Sequence, residues 1–379
     1  MKFLLNRRQL IKLAFGGLFS LISSSFGMNN KINKKSIEDR MNSIKKITTL
    51  PDSGPWPTSD PFLFCVHHND KYPKATNEFI PNSSLNGRNI GNDFSNKEGW
   101  SMYHGETVPG FPKHPHRGFE TLTVVEEGII DHSDSLGATA RYGDGDAQWL
   151  TAGDGINHSE MFPLFNQKDG NKLDFFQIWI NLPSKNKRVS PNFLMYWKNQ
   201  IPKIKQEDKN GVVSEIEIIS GDFNEINGPV PPPNSWAKNK ENQVAVWVIH
   251  LKSEGSVLLP EAQTGSNRCI YILKDTQVKV NNDLVNSNTM VELYPENKIT
   301  LHNSGSDTKI LMLQGKPINE PVAKYGPFVM NTRSEIEQAF EDYNSTGFGG
   351  WKWNNPGPIH GGFKGKFAKL INGKLDKPT

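Results

Sequence analysis

The sequence predicts an all-β protein: two successive sets of short strands, each able to close into a barrel, followed by one short helix. Three observations predict it. Between Pro109 and Pro163, strand-like runs alternate with Gly-containing turns at intervals of about eight to twelve residues, the rhythm of a small β-barrel or sandwich. A similar rhythm returns after Val212 and continues to Gln314. Composition agrees, since 33 glycines, 25 prolines and an apolar content of 35% suit a turn-rich β chain better than a helical bundle.

The chain begins with a targeting segment. Asn6-Arg7-Arg8-Gln9-Leu10-Ile11-Lys12 resembles the twin-arginine export signal, and an apolar run, Leu13 to Ile22, follows. That run is too short to span a bilayer but has the length of a signal's apolar core. Ser25-Phe26-Gly27 places small residues at both recognition positions of a cleavage site. Residues 1–27 are therefore read as a signal peptide. The mature protein is expected to be exported, to a periplasm, with no stable membrane span.

Export changes the charge argument. The formal net charge is +3, but residues 1–27 carry Lys2, Arg7, Arg8 and Lys12 and no acid. Without them, 39 basic residues face 40 acidic ones. Without residues 28–50 as well, 33 face 38, so the body is acidic. A nucleic-acid binder shows a basic footprint, and none is present. Residues 28–50 (MNNKINKKSIEDRMNSIKKITTL) are polar, lack a long apolar face, and are read as a linker. Cys65 and Cys269 are the only cysteines; neither lies in a CxxC pair, and both are expected to be buried free thiols.

The first strand set is read as residues 51–190. Within it, Glu120–Glu126 has strand composition and ends at Gly128. Ile129–His132 begins a second strand, and Gly143–Asp146 turns into the apolar run Ala147–Leu150. Lys172–Leu182 reads as a buried strand, and Pro183–Pro202 as the link onward. Two pairs of potential metal ligands bound the central meander: His114-Pro115-His116 and His158-Ser159-Glu160. On an extended strand, residues i and i+2 point to the same face, so each pair can aim two ligand atoms at one point. Three imidazoles and a carboxylate suit one divalent ion such as Fe, Ni, Cu or Mn, and thiolates are absent. Glu120 competes for the carboxylate role, because it lies four residues after His116 and shares its face if the strand is unbroken.

The second set is read as residues 200–320, with strands at Val212–Ile219, Ala245–Leu251, Ser256–Leu259, Cys269–Leu273, Gln277–Val280, Thr289–Leu293, Lys298–His302 and Lys309–Gln314. Pro229–Pro233 is a stiff surface excursion. His250 and His302 are the histidines of this half, and neither has an i+2 partner of ligand type, so it is read as structural. Residues 321–379 supply a helix and a tail. Thr332 followed by Glu335 forms a capping box, and Ile336, Ala339, Phe340 and Tyr343 give a helical stripe. The tail after Gly347 is Gly-rich and aromatic.

HPHRGFET, GDAQWLTAGDGINHSEM and GPFVMNTRSEIEQA resemble the pirin family of the cupin superfamily, over about Asp60 to Gly347. The resemblance implies a bicupin: two jelly-roll barrels in tandem with one metal, usually iron, in the first. It assigns the ligands to His114, His116, His158 and Glu160, and favours Glu160 over Glu120. Against the family pattern, about thirty-five residues are inserted at about 69–106, well placed to cover the barrel mouth, with Arg88, Trp100, Tyr103 and His104 as candidates for its lining.

The same resemblance implies quercetin 2,3-dioxygenase-type activity on a flavonol or related enol. Iron is the expected metal, with Ni, Cu, Mn and Zn as alternatives. Glu160 would then also act as general base. Two other readings remain: a metal-dependent binding or sensing protein of the cell envelope, and other cupin chemistry on a small metabolite. A monomer is expected.

Overall fold

The computed structural model describes residues 43–273 and 276–379; residues 1–27, read as a signal peptide, and most of the expected linker lie outside the described residues. From Ile44 onward the chain forms one unit, whose named strands all pair antiparallel. Its strands open with β1 (Ile44–Thr49), β2 (Phe62–Tyr72), β3 (Gly110–His116), β4 (Phe119–Glu127), β5 (Ile129–Asp134), β6 (Thr139–Gly143), β7 (Ala147–Thr151), β8 (Ile156–Met161), β9 (Asn171–Asn181) and β10 (Asn192–Tyr196). The second half holds β11 (Lys203–Glu207), β12 (Val213–Ser220), the small hairpin β13 (Asp222–Phe223) and β14 (Ile226–Asn227), β15 (Ala245–Leu251), β16 (Ser256–Leu259), β17 (Asn267–Ile272), β18 (Gln277–Val280), β19 (Asp283–Asn286), β20 (Thr289–Leu293), β21 (Ile299–Asn303) and β22 (Thr308–Gly315). The hairpin β23 (Ala323–Tyr325) and β24 (Phe328–Met330), the helix α1 (Arg333–Thr346), β25 (Phe367–Lys369) and β26 (Leu375–Asp376) complete it.

Each half is a two-sheet barrel. The first stacks β10-β7-β4-β9-β2 on β26-β25-β6-β5-β8-β3, and the second stacks β1-β20-β17-β22-β15-β12-β11 on β16-β21-β18-β19. Side chains alternate along every strand, so each large sheet has two buried faces. Val125, Leu150 and Phe175 fill the first barrel, and Trp247, Ile270 and Met312 the second. Residues of opposite parity, such as Leu122, Trp149 and Ile178 facing Val246, Tyr271 and Leu311, form a third core between the barrels. Cys65 and Cys269 are both buried free thiols in that third core. Burial raises both thiols, Cys269 to about 11, which keeps them protonated and unreactive.

Three boundaries differ from the sequence reading. Ile44–Thr49, inside the expected linker, is an edge strand of the second barrel, paired with β20. Asn192–Tyr196, inside the expected link, is an edge strand of the first, paired with β7. The tail also does work in the first barrel, since Phe367–Lys369 pairs with β6. Each end of the described chain thus crosses to the other barrel. Helix α1 begins at the capping box of Thr332 and Glu335 and buries Ile336 and Ala339 against Phe328 and Met330.

A buried ion pair anchors the tail. Arg141 donates from Nε and Nη2 to the two oxygens of Asp131, each at 2.7 Å, and also to the Gly361 and Gly362 carbonyls at 2.9 Å. Both side chains are 1% exposed or less. Replacing Asp131 by Asn leaves a buried guanidinium without its charge partner. It should cost about 3–5 kcal/mol in urea unfolding. A loss below about 1 kcal/mol would show that the tail carbonyls suffice to hold the charge.

Candidate metal centre

The strand pairing brings three of the four expected ligands together, the histidines and not the Glu160 carboxylate. Strands β3 and β8 run antiparallel, with His114 opposite His158. The i,i+2 spacing then places His116 on the same face as His114. Ligand atoms of His114, His116 and His158 all lie within 4.8 Å of one another. His114 Nδ1 donates to the Pro112 carbonyl at 2.9 Å, and His116 Nδ1 to the Pro327 carbonyl at 3.4 Å. Each bond fixes a tautomer that leaves the Nε2 lone pair free.

His158 is fully buried, yet neither ring nitrogen has a hydrogen-bond partner. A buried polar group left so is rare and calls for a missing one. Three converging imidazoles, one of them orphaned, fit a divalent cation. Burial lowers all three pKa values, His114 to about 4, so the rings stay neutral and able to ligate.

Glu160 stands beside this group. Its carboxylate accepts from Thr123 Oγ1 at 3.1 Å and from Gln177 Nε2 at 2.7 Å, and it lines the same cavity as His114 and His116. Burial raises its pKa, against the opposing pull of Gln177, His132 and Thr123. Glu120 points elsewhere. It accepts from Thr151 at 2.7 Å and from Ser235 at 2.6 Å, on the face of β4 that carries Leu122 and Val124 into the core between the barrels. The strand is broken before it. Gly118 has φ +84°, and a Cβ there would lie 1.9 Å from the Val329 carbonyl oxygen. This glycine kink separates β3 from β4, so the four-residue spacing from His116 does not put Glu120 on the ligand face.

Sequence reasoning missed several groups around the centre. Arg117 in the same motif is buried; it binds the Asp154 carbonyl at 2.7 Å and Asp342 of α1 at 2.6 Å, tying the helix to the end of the ligand strand. His132 sits opposite Glu160 on β5, and its Nε2 lies 3.2 Å from Asp134. His68, Tyr103 and Asp70 form a chain. The Tyr103 hydroxyl donates to Asp70 at 2.7 Å and accepts from His68 Nδ1 at 2.8 Å, which leaves His68 Nε2 as an acceptor. No local spacing signals this triad, whose members meet only through the inserted segment.

The cavity beside the histidines measures about 1020 Å³. Trp56, Phe64, Phe111 and Trp179 give it aromatic walls, and His67 and Lys309 supply polar groups. Of the insertion's expected lining residues, Tyr103 and His104 line it, while Arg88 and Trp100 instead pack beneath. Arg88 pairs with Asp93 at 2.9 Å and lies 3.5 Å over the Trp100 ring. Together with buried Met102 these residues make the insertion a packed wall of the barrel.

A double cupin barrel with a histidine cluster in its first half defines the class. Two family models match: Pirin over residues 48–180 and the Pirin C-terminal cupin domain over residues 246–349. A Pseudomonas aeruginosa protein provisionally named a quercetin 2,3-dioxygenase is 34% identical over 239 residues, 63% of this chain and 79% of its own. Pirin-like protein 2 of Arabidopsis thaliana is 35% identical over 62% of this chain and 70% of its own. The crystal structure of quercetin 2,3-dioxygenase from Acinetobacter baumannii superposes with a TM-score of 0.61 at 28% identity, covering 81% of this chain and 96% of that one. The chain belongs to the pirin family.

The histidine shifts set a pH dependence for the metal-free protein. Unfolded histidine protonates near pH 6.5, whereas burial keeps all three neutral well below that, His114 down to about pH 4. Between those values the unfolded chain binds more protons, so stability falls as pH drops. Urea midpoints of metal-free protein should decline from about pH 6.5 to 4, and less so in His158→Gln. Equal slopes would mean that the unpartnered imidazole does not control the effect.

Proposed function

We propose that this protein is a metal-dependent dioxygenase of the quercetin 2,3-dioxygenase type, opening a flavonol or related enol with O2. The observation that carries the reading is a neutral three-histidine group, with His158 unpartnered and His114 and His116 in the wall of an aromatic cavity. His114, His116 and His158 would hold one divalent ion, iron being the first expectation, with Glu160 as fourth ligand. Bound there, the metal supplies Lewis acidity and a template for both reactants. Glu160 takes the proton of the substrate's enol hydroxyl at its carboxylate, a role suited to a carboxyl raised by burial. Gln177 and Thr123 orient that carboxylate. The aromatic walls receive the planar rings and keep water from the reacting carbons.

Metal analysis with an oxygen electrode and a flavonol tests this. His116→Ala should lose the metal and the O2 uptake, while His302→Ala keeps both. Glu160→Gln should lower turnover by about 100-fold or more, and Glu120→Gln should lower stability alone. Flavonol turnover without O2 consumption would move the protein to other cupin chemistry. Metal-loaded protein with no turnover would favour the binding or sensing reading.

We also propose export by the twin-arginine route, on the strength of Arg7-Arg8 and the short apolar run. A site built from residues about forty apart exists only after the barrel closes. Loading before export would let the cytoplasm choose the metal, which affinity alone would give to Cu or Zn. Changing Arg7 and Arg8 together to Lys should strand full-length, metal-bound protein in the cytoplasm. Continued export of that variant overturns this route.

A further inference from the structure

Among the described residues the second barrel has no histidine cluster, but one end of its interior is polar. Along β17, Cys269 and Tyr271 face the core between the barrels, and Ile270 and Ile272 face the barrel interior. Arg268 shares the parity of the interior pair and is only 1% exposed. By the same alternation Gln314 on β22 joins Ile310 and Met312, and Trp247 on β15 lies between Ala245 and Ile249. Arg268, Gln314 and Trp247 line one cavity of about 530 Å³.

The guanidinium of Arg268 is buried without a counter-ion. Its two hydrogen bonds go to neutral acceptors, from Nε to Gln314 Oε1 at 2.6 Å and from Nη1 to the Pro260 carbonyl at 2.7 Å. Among the described residues no carboxylate pairs with it. Asp222 at the cavity rim is held by Lys240 at 2.8 Å, and Glu261 at the rim is exposed. Burial alone moves the Arg268 pKa, down to about 10. This contrasts with Arg88, Arg117 and Arg141, each of which is buried against an aspartate.

A second group in the same cavity is also unsatisfied. Trp247 is 1% exposed, and its indole Nε1 has no acceptor. Guanidinium and indole N–H groups only donate, so both call for an acceptor, and the guanidinium for a negative one. A planar carboxylate matches the guanidinium fork. The remaining lining includes Pro229, Val230, Pro231 and Ala262, which suits an apolar body.

We infer that this end of the second barrel binds a small organic carboxylate, its oxygens on Arg268 and the Trp247 N–H and its apolar body against residues 229–231. The inference is independent of the chemistry proposed for the first barrel.

Calorimetry and thermal melting of the purified protein with benzoate test it, with benzamide and inorganic phosphate as comparators. Benzoate should bind saturably, one per chain, and raise the melting temperature; benzamide, which keeps the ring and lacks the charge, should not. Arg268→Met should weaken benzoate by at least about tenfold, and Arg268→Lys by less. Should Arg268→Met not fold, Trp247→Phe keeps an aromatic side chain, though a smaller one, and removes the N–H donor, and benzoate affinity should still fall. Equal affinity in wild type and variants, or no binding at about 10 mM, overturns the proposal. Saturation by phosphate and not by benzoate overturns the organic assignment.

Discussion

Side-chain alternation along Phe119–Val125 is the constraint on which the rest depends. Leu122 and Val124 lie in the core between the barrels, and Val125 lies in the first barrel's interior beside the face from which Thr123 reaches Glu160. A one-residue slip would exchange those faces, carrying Glu120 inward and Thr123 outward. The kink at Gly118 sets the register, and several groups guard it. Lys187 is buried and donates to the Gly118 and Val329 carbonyls and to Asn181. Burial lowers that lysine to about 8, so its three acceptors hold a cation that the site itself does not favour.

The two barrels handle buried charge differently. In the first, burial strips protons from three imidazoles and leaves lone pairs without partners. In the second, Arg268 keeps its charge and lacks a counter-ion. Each barrel interior is thus incomplete on the protein's own account, one in donors of positive charge and the other in acceptors. In the core between them, Glu120 is held by hydroxyls from both halves.

Strong periodic signals were legible in the sequence. The boundaries of β15, β16, β18 and β20 match the expected spans, because each is a short β-branched run bounded by turn residues. The three histidines were legible because i,i+2 spacing puts His114 and His116 on one face of β3 and the pairing sets His158 opposite His114. Less local features were not. Ile44–Thr49 reads as polar linker because it is an edge strand whose outer residues face water. The tail strand is three residues long, too short to signal itself, and Arg141 binds the glycines that precede it. Glu120 was ambiguous because spacing alone does not report a glycine kink. The triad of His68, Tyr103 and Asp70 depends on how the insertion folds back, which no period records.

The crossing of the described ends has a consequence for biosynthesis. Strand β6 is an inner strand only because Phe367–Lys369 covers its outer edge. While residues 367–369 are still in the ribosome, Thr139–Gly143 has an unpaired edge, and an open edge is a template for strands of other chains. The first barrel, although made first, is therefore among the last parts to be sealed. Vectorial synthesis gives it no head start, and a nascent chain needs shielding until its final strands arrive.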